Sequence, residues 1–431
     1  MSRALLHGVR VLDMTQIRAG PKAAKWLADG GAEVIKVESR NRNDGRGFSR
    51  RGSDRGQAVP AAAVPEAEQR TRNRQGFEQL HRNKLGLSID LSKPEGVPLL
   101  KRLIAVSDVV MENFSYGVME RLGLGYRELC GVRPDIIMIS MPGFGAGGPF
   151  RDHVAFGWAQ EHMAGITAST GYAGGPPLKT GTIVADPLNG VHAAAAVLGC
   201  LVYRARTGKG QFIDLSHLES LICLVGDAVL EYTINGRVRE RMGNRHPVYA
   251  PQGVYPCRGD DEWISLTVTS DAEWRALCGV IGRLDLAGDP RFAGNVSRRR
   301  DQDSLDPVIG EWTRRHERYR AMELLQAAGV AAGAVLDQDE ALISAQARSR
   351  GFLPILAHPD GVHHPYIDTP AKFSRTPAGV RAPGPLLGEH NGYLLGDLLG
   401  LPPEELGRLE AGGVTATLST DLSGLDADNG S

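Results

Sequence analysis

The sequence predicts an α/β protein: a doubly wound parallel sheet joined to a smaller α+β domain. Three observations carry this. Residues 9–38 read strand, helix, strand, a spacing that favours a right-handed crossover between parallel strands. The same alternation resumes between Leu87 and Ser140. Near Tyr249 the pattern changes to short alternating runs around a polar turn, which reads as an antiparallel hairpin. With 431 residues, two or three domains are expected at roughly 150 residues each.

The elements follow in order. Val9–Asp13 is a short strand, and Gln16–Pro21 a loop in which Pro21 suits the first turn of a helix. Ala23–Ala28 is helical, Gly30 and Gly31 end it, and Glu33–Glu38 is the second strand. Arg40, Arg42, Arg46, Arg50, Arg51 and Arg55 then stand among Gly, Ser and Asn, so residues 40–75 are expected to form a long, partly mobile loop. Its arginines are either solvated or reach a polyanionic ligand. Leu87–Leu91 is a strand, and a helix follows Pro94. Ser107–Asn113 and Asp135–Ser140 are further strands, the second running into the glycine-rich Met141–Gly145. Val191–Tyr203 is an apolar helix, Gln211–Leu215 a strand and Ser216–Val225 another apolar helix. Gly253–Pro256 and Trp263–Leu266 form the hairpin, with helices to about residue 330. The expected division is a large domain in residues 1–225, a small α+β domain with its linkers in 226–335, and a return segment in 336–431 that completes the large domain and ends in a frayed tail.

Composition excludes several classes. Lys and Arg number 49 against 50 Asp and Glu, for a net charge of −1, which does not suit a polybasic nucleic-acid binder. No apolar run reaches the ~18 residues of a membrane span, and the N-terminus lacks a signal-peptide core. Cys130, Cys200, Cys223, Cys257 and Cys278 are scattered without a CxxC, as expected of thiols in a reducing cytoplasm. Neither GxGxxG after the first strand, GxxxxGK[ST], HExxH nor GxSxG occurs, and no histidine spacing suggests a metal.

Asp186 is the carboxylate of interest. It lies between an apolar run at 182–185 and an apolar helix, at a helix N-terminus whose dipole favours negative charge. Preceding Pro187, it reads locally as a plain N-cap; the other reading is a nucleophile.

Several segments resemble the family III CoA-transferases, the group that includes formyl-CoA transferase, carnitine CoA-transferase and α-methylacyl-CoA racemase. They are Gly8–Asp13 with Ala19-Gly20-Pro21, Gly31–Glu38, Arg82-Asn83-Lys84 with Ile89-Asp90-Leu91, and Asp108–Phe114 through to Arg121-Leu122-Gly123. Asp186 with Gly190, Thr207–Gln211, Gly253–Pro256 and Leu387–His390 follow in register, so the resemblance spans nearly the whole chain.

The resemblance implies a Rossmann-like large domain that binds CoA, a smaller domain on long linkers, and two chains interlocked as a dimer, homomeric or formed with a paralogue. It implies that no cofactor is held permanently: coenzyme A and acyl-CoA are substrates. Asp186 aligns with the aspartate that forms anhydride and thioester intermediates. By family position Ile17, Arg18, Arg40, Asn113, Phe114 and Arg121 line the CoA site, with Arg82 and Lys84 as additions, since arginine pairs well with phosphate. Gly143, Phe144, Gly145 and Phe156 are expected at the acyl pocket, and Gly143–Gly145 or the start of the helix at Asp186 as oxyanion donors.

The departures are informative. Arg18 replaces a common Gln, and Tyr116-Gly117 replaces Pro-Gly. Phe156 stands where the racemases carry an acid/base histidine, with His153 and His162 three and six residues out of register. That favours transfer over racemisation, which needs a base on each face of the α-carbon; the racemase and a CoA-binding subunit of a heteromeric transferase are the alternatives. No glycine-run lid occurs at 225–260, so oxalate and formate are not expected as substrates; the first loop and residues 156–161 point instead to a larger, partly aromatic acid.

Overall fold

A computed structural model describes residues 3–40, 76–358, 361 and 363–417. The expected arginine-rich loop, from Arg42 onward, and the expected frayed tail from Leu418 lie outside the described residues. The chain divides into two compact units: Met1–Ile166 with Thr180–Val229 and Arg348–Ser431, and Thr167–Lys179 with Leu230–Ala347.

The first unit is built on six parallel strands: β1 (Arg10–Asp13), β2 (Glu33–Glu38), β3 (Lys84–Ser88), β4 (Val109–Glu112), β5 (Ile137–Ser140) and β6 (Phe212–Asp214), in the order β3-β2-β1-β4-β5-β6. Val11 pairs with Val34 on one side and Val109 on the other. The winding therefore reverses between β1 and β4, and the crevice above their carboxyl ends is where such sheets bind ligands.

Strand alternation assigns the two faces. Leu12, Ile35, Leu87, Val110 and Met138 face Leu99, Leu100 and Leu103 of α2 (Gly96–Ala105). Val11, Val34, Val109, Ile137 and Ile139 face α1 (Ala19–Asp29) and the later helix α4 (Ala185–Thr207) through Ala23, Ala24, Leu27, Ala193, Ala194 and Val197. Both faces are covered, which is why these strands read as continuous apolar runs. Between β5 and β6 lie α3 (Gly157–Met163) and then α4; α5 (His217–Leu224) follows β6.

The return segment caps the sheet edge. His390 N–H donates to Gly86 O, His390 Nδ1 accepts from Gly86 N–H, and Asn391 Oδ1 accepts from Ser88 N–H. This satisfies edge groups of β3 that would otherwise invite pairing with another chain.

In the second unit, β7 (Gln252–Pro256) and β8 (Trp263–Thr267) form the antiparallel hairpin, and β9 (Ala331–Ala334) adds to β8. The sequence AAGA of β9 carries no β-branched or aromatic signal, so it was not legible as a strand. Helices α6 (Asp271–Val280), α7 (Gln302–Thr313) and α8 (Arg318–Ala327) pack on the sheet around Ile264, Trp274, Leu277, Phe292, Ile309 and Leu325. The unit also takes in Thr167–Lys179 and runs on to Ala347, so its limits differ from the expected 226–335.

Candidate active site

The loops after β1 and β4 meet at the switch point. The Asn113 side chain accepts from Gln16 N–H at 2.7 Å and donates to Gln16 O at 2.8 Å, locking one loop to the other. Ile17, the next residue, has φ of 67° and is 60% exposed. A β-branched residue in the left-handed region is strained, and an exposed one gains no packing in return. Arg18 then occupies the N-cap of α1, exposed, with no side-chain hydrogen bond or ion pair among the described residues.

A buried network holds this loop from below. Thr15 donates to Asp13 Oδ1 from its N–H and hydroxyl, and Lys84 Nζ donates to Asp13 Oδ2 at 2.8 Å and to Pro21 O at 3.0 Å. Lys36 Nζ donates to Thr15 O at 2.6 Å. Burial pushes the Asp13 carboxyl up, but Lys84, Lys36 and Thr15 together hold it below the usual range. Gly20 is required here: a Cβ on it would lie 2.3 Å from Thr15 Cβ.

Asp186 lies in the first turn of α4, but it is not the cap. The N-cap is Val184, which has no side-chain oxygen, and the capping is supplied from α3. Glu161, fully buried, accepts from Val184 N–H at 2.7 Å and Ala185 N–H at 3.1 Å through Oε1, and from the Thr180 hydroxyl at 2.8 Å through Oε2. With the helix end capped from elsewhere, the Asp186 carboxyl has no hydrogen bond or ion pair among the described residues. It rests against Gly157, where a Cβ would lie 3.1 Å from its Oδ1 and 2.8 Å from Ile183 Cγ2. Burial raises the Asp186 pKa, Arg18 opposes the rise and Glu161 adds to it.

Gly190, one helical turn beyond Asp186, explains why Arg18 is felt there. A Cβ on it would lie 3.0 Å from Ala19 O and 3.1 Å from Lys22 Cβ, so the backbones of α4 and α1 touch. The helix ends that carry Asp186 and Arg18 are thereby held side by side.

The remaining expected residues divide. Phe114 N–H donates to Glu112 Oε2 at 2.7 Å, and its ring packs partly against the core. Glu112 is buried at the end of β4, and burial raises its pKa to about 7. Arg40 is exposed just past β2, and the exposed Arg121 has Nη1 over Gly117. Phe144 stacks at an angle on Phe150 with centroids 5.6 Å apart, and Phe156, 62% exposed, precedes α3.

Arg82 and Lys84 differ from expectation. Arg82 is fully buried, with Nη2 2.7 Å from Asp29 Oδ2, and Lys84 is spent on Asp13. Both are internal ion pairs rather than cations open to a phosphate. The expected oxyanion donors are also partly committed: Gly145 N–H turns back to Pro142 O, and Val184 and Ala185 N–H go to Glu161. Among the described residues no group of three or more His, Cys, Asp or Glu could hold a metal ion. Sequence reasoning gave no role to Glu161, Lys36 or Glu112; their partners lie far along the chain and no local pattern marks them.

Fold and site together define an enzyme of acyl-CoA chemistry. The chain belongs to CoA-transferase family III, whose family model matches residues 6–391, and is thus an acyl-CoA:carboxylate CoA-transferase for which coenzyme A and its thioesters are substrates. It is 36% identical over 406 residues to the succinyl-CoA–D-citramalate CoA-transferase of Chloroflexus aurantiacus, covering 94% of this chain and 97% of that one. It is 32% identical to the succinate–glutarate CoA-transferase of Agrobacterium fabrum, covering 91% and 95%. A solved CAIB/BAIF family protein from Brucella suis superposes with a TM-score of 0.79 at 30% identity, covering 92% of this chain and all of that one.

Proposed function

We propose that this enzyme moves CoA between short dicarboxylic acids through covalent intermediates on Asp186. The observation that carries this reading is the Asp186 carboxyl itself: relieved of capping by Glu161, part-buried, and beside Arg18, which has no partner among the described residues. Asp186 attacks the donor thioester carbonyl, the C–S bond breaks, and a mixed anhydride and CoA thiolate form. The thiolate attacks the aspartyl carbonyl, expelling the donor acid as carboxylate and leaving an aspartyl–CoA thioester. The acceptor carboxylate attacks that thioester to give a second anhydride and thiolate. Thiolate attack on the acceptor carbonyl then yields the new acyl-CoA and restores the Asp186 carboxylate. Dividing the exchange in this way avoids direct displacement of thiolate by a weak nucleophile.

The substrate class is supported by the succinyl-CoA–D-citramalate and succinate–glutarate transferases, both of which act on dicarboxylates by name. It replaces the aromatic acid expected from residues 156–161. Racemisation would need a base at Phe156, which offers none.

A homodimer fits the surface. Helix α4, 23 residues long and apolar enough in length and composition to cross a membrane, buries Ala193, Ala194 and Val197 against the sheet. Its other side exposes Val191, Leu198, Val202 and Tyr203, with Ile222 and Leu224 exposed on α5. Such an apolar surface is more economically covered by a second copy, interlocked as the family resemblance implies, than left in water. Five free thiols fit a reducing cytoplasm.

The test is covalent capture. The protein is incubated with succinyl-CoA, glutaryl-CoA or aromatic acyl-CoAs, quenched with hydroxylamine, and the tryptic peptide Thr180–Arg204 is weighed. A hydroxamate on Asp186 with the dicarboxylic thioesters is expected. An unmodified peptide under turnover would overturn the covalent route.

A further inference from the structure

We infer that Arg18 selects the acid: its guanidinium pairs with the second carboxylate of a dicarboxylic substrate and is not a ligand of the CoA phosphates. The inference rests on the transferase reading above and names the residue that sets its specificity.

Placement comes first. Gly190 lets α4 meet the first turn of α1 at Ala19, with 3.0 Å between a Cβ at 190 and Ala19 O. Arg18 is the residue before Ala19, and Asp186 is one turn before Gly190, so both side chains issue from touching helix ends. The Arg18 charge opposes the rise that burial imposes on the Asp186 pKa.

Commitment comes second. Three cations around this loop are used by the fold: Lys36 on Thr15 O, Lys84 on Asp13 and Arg82 on Asp29. The neighbouring Glu161 carboxylate is equally occupied, by two N–H groups and the Thr180 hydroxyl. Arg18 has no such partner among the described residues and stands exposed. A permanently charged five-donor fork held beside the nucleophile is therefore available to a ligand.

Substrate geometry identifies that ligand. When Asp186 attacks a thioester, the pantetheine arm holds the diphosphate and the adenosine phosphate at the far end of the molecule. A cation that issues from a helix end touching the one that carries Asp186 is at the acyl end. The only anionic group that an acyl chain can bring there is a second carboxylate, which Arg18 can take bidentately. A monocarboxylic acid of the same length leaves the guanidinium unpaired and is disfavoured for that reason.

The experiment compares the wild-type enzyme with Arg18→Met and Arg18→Lys on glutarate and valerate, acids that differ by one carboxylate, with the binding of desulfo-CoA measured alongside. The glutarate-to-valerate ratio of kcat/KM is expected to fall about 100-fold in Arg18→Met and to recover in part in Arg18→Lys. Equal loss on both acids, or a weakening of desulfo-CoA as large as the loss of turnover, would overturn the inference and return Arg18 to the phosphates. Binding decides the matter without turnover. Glutarate, but not valerate, is expected to raise the Tm of the CoA-saturated wild type, and neither that of Arg18→Met; equal shifts in both proteins would overturn it. A wild type that shows this selective binding but transfers no CoA would sink the transferase reading alone.

Discussion

The two ends of the six-stranded sheet treat charge in opposite ways. At the amino end, Asp108 accepts from Arg10 N–H at 2.7 Å, from Arg133 at 2.8 Å and from Arg204 at 2.9 Å, while Arg10 pairs with Glu33 at 3.1 Å. A hollow of 410 Å³ opens there, yet each guanidinium and carboxylate lining it already has a partner. At the carboxyl end, Arg18 is unpaired among the described residues, and Asp186 and Glu112 have raised pKa values. Ile17 is strained there as well. Concavity alone does not mark a site. What marks one is charge that the fold has left unspent, and such perturbed groups concentrate where chemistry is done.

The largest break in that contrast comes from one aspartate at each end. Asp186→Ala is expected to lower transfer at least 10³-fold, the scale of removing a covalent nucleophile, while desulfo-CoA still binds. Its stability should be unchanged or slightly higher, because no hydrogen bond among the described residues uses the carboxyl. Asp108→Ala should do the reverse. It leaves Arg133 and Arg204 with Asp135 alone and strips Arg10 N–H of its acceptor, and should cost about 2–3 kcal/mol by denaturant unfolding, with kcat retained in the folded fraction. Equal effects of the two variants on kcat would erase the distinction.

Legibility in the sequence follows the same division. β1, β2, β4 and β5 were readable to within two residues, because apolar runs bounded by polar turns suffice to mark a buried parallel strand. The start of β3 was not: it opens at Lys84, three residues before the expected Leu87, since a lysine reads as solvent-facing until Asp13 is known to lie beneath it. Arg82 was given to CoA for the same reason; its partner Asp29 is 53 residues away. Asp186 stood out through the family resemblance, but its local pattern suggested an N-cap. That reading failed because the capping oxygen belongs to Glu161, 23 residues earlier than Val184. Local chemistry was legible; the commitment of each charge depends on tertiary partners and was not.

Glu112 sharpens the comparison through pH. Its folded pKa is raised from 4.5 to about 7 by burial, with Ser140 and the Phe114 N–H opposing. The native state thus holds this proton more tightly than the unfolded chain. The resulting stability is fully present below the ordinary carboxylate range and is lost as pH rises through about 7. A shift of that size is worth at most on the order of 3 kcal/mol. Glu112→Gln removes the titration, so the variant should gain about 2–3 kcal/mol on the wild type between pH 4.5 and 8 in urea unfolding. Parallel stability curves would show that burial does not perturb Glu112 in the folded protein. The acid limb of kcat/KM tests Asp186 similarly. Burial raises its pKa, so the limb should lie above the ordinary aspartate range, and Arg18→Met should move it higher by removing the cation that opposes the rise.

The smallest expected effect concerns strain rather than charge. Ile17 is held with φ of 67°, and its side chain is exposed, so the fold gains little from the isoleucine while bearing the cost of the backbone. Asn tolerates this region, and Ile17→Asn should raise stability by about 1 kcal/mol. If the exposed side chain is kept for the ligand, the same variant should raise the KM for acyl-CoA several-fold with kcat little changed, because it acts on binding and not on Asp186. A gain in stability without a change in KM would leave the strain real and the ligand contact unsupported. A loss of stability would mean that the backbone at Ile17 is less costly than its geometry indicates, and the carboxyl end of the sheet would then differ from the amino end in charge alone.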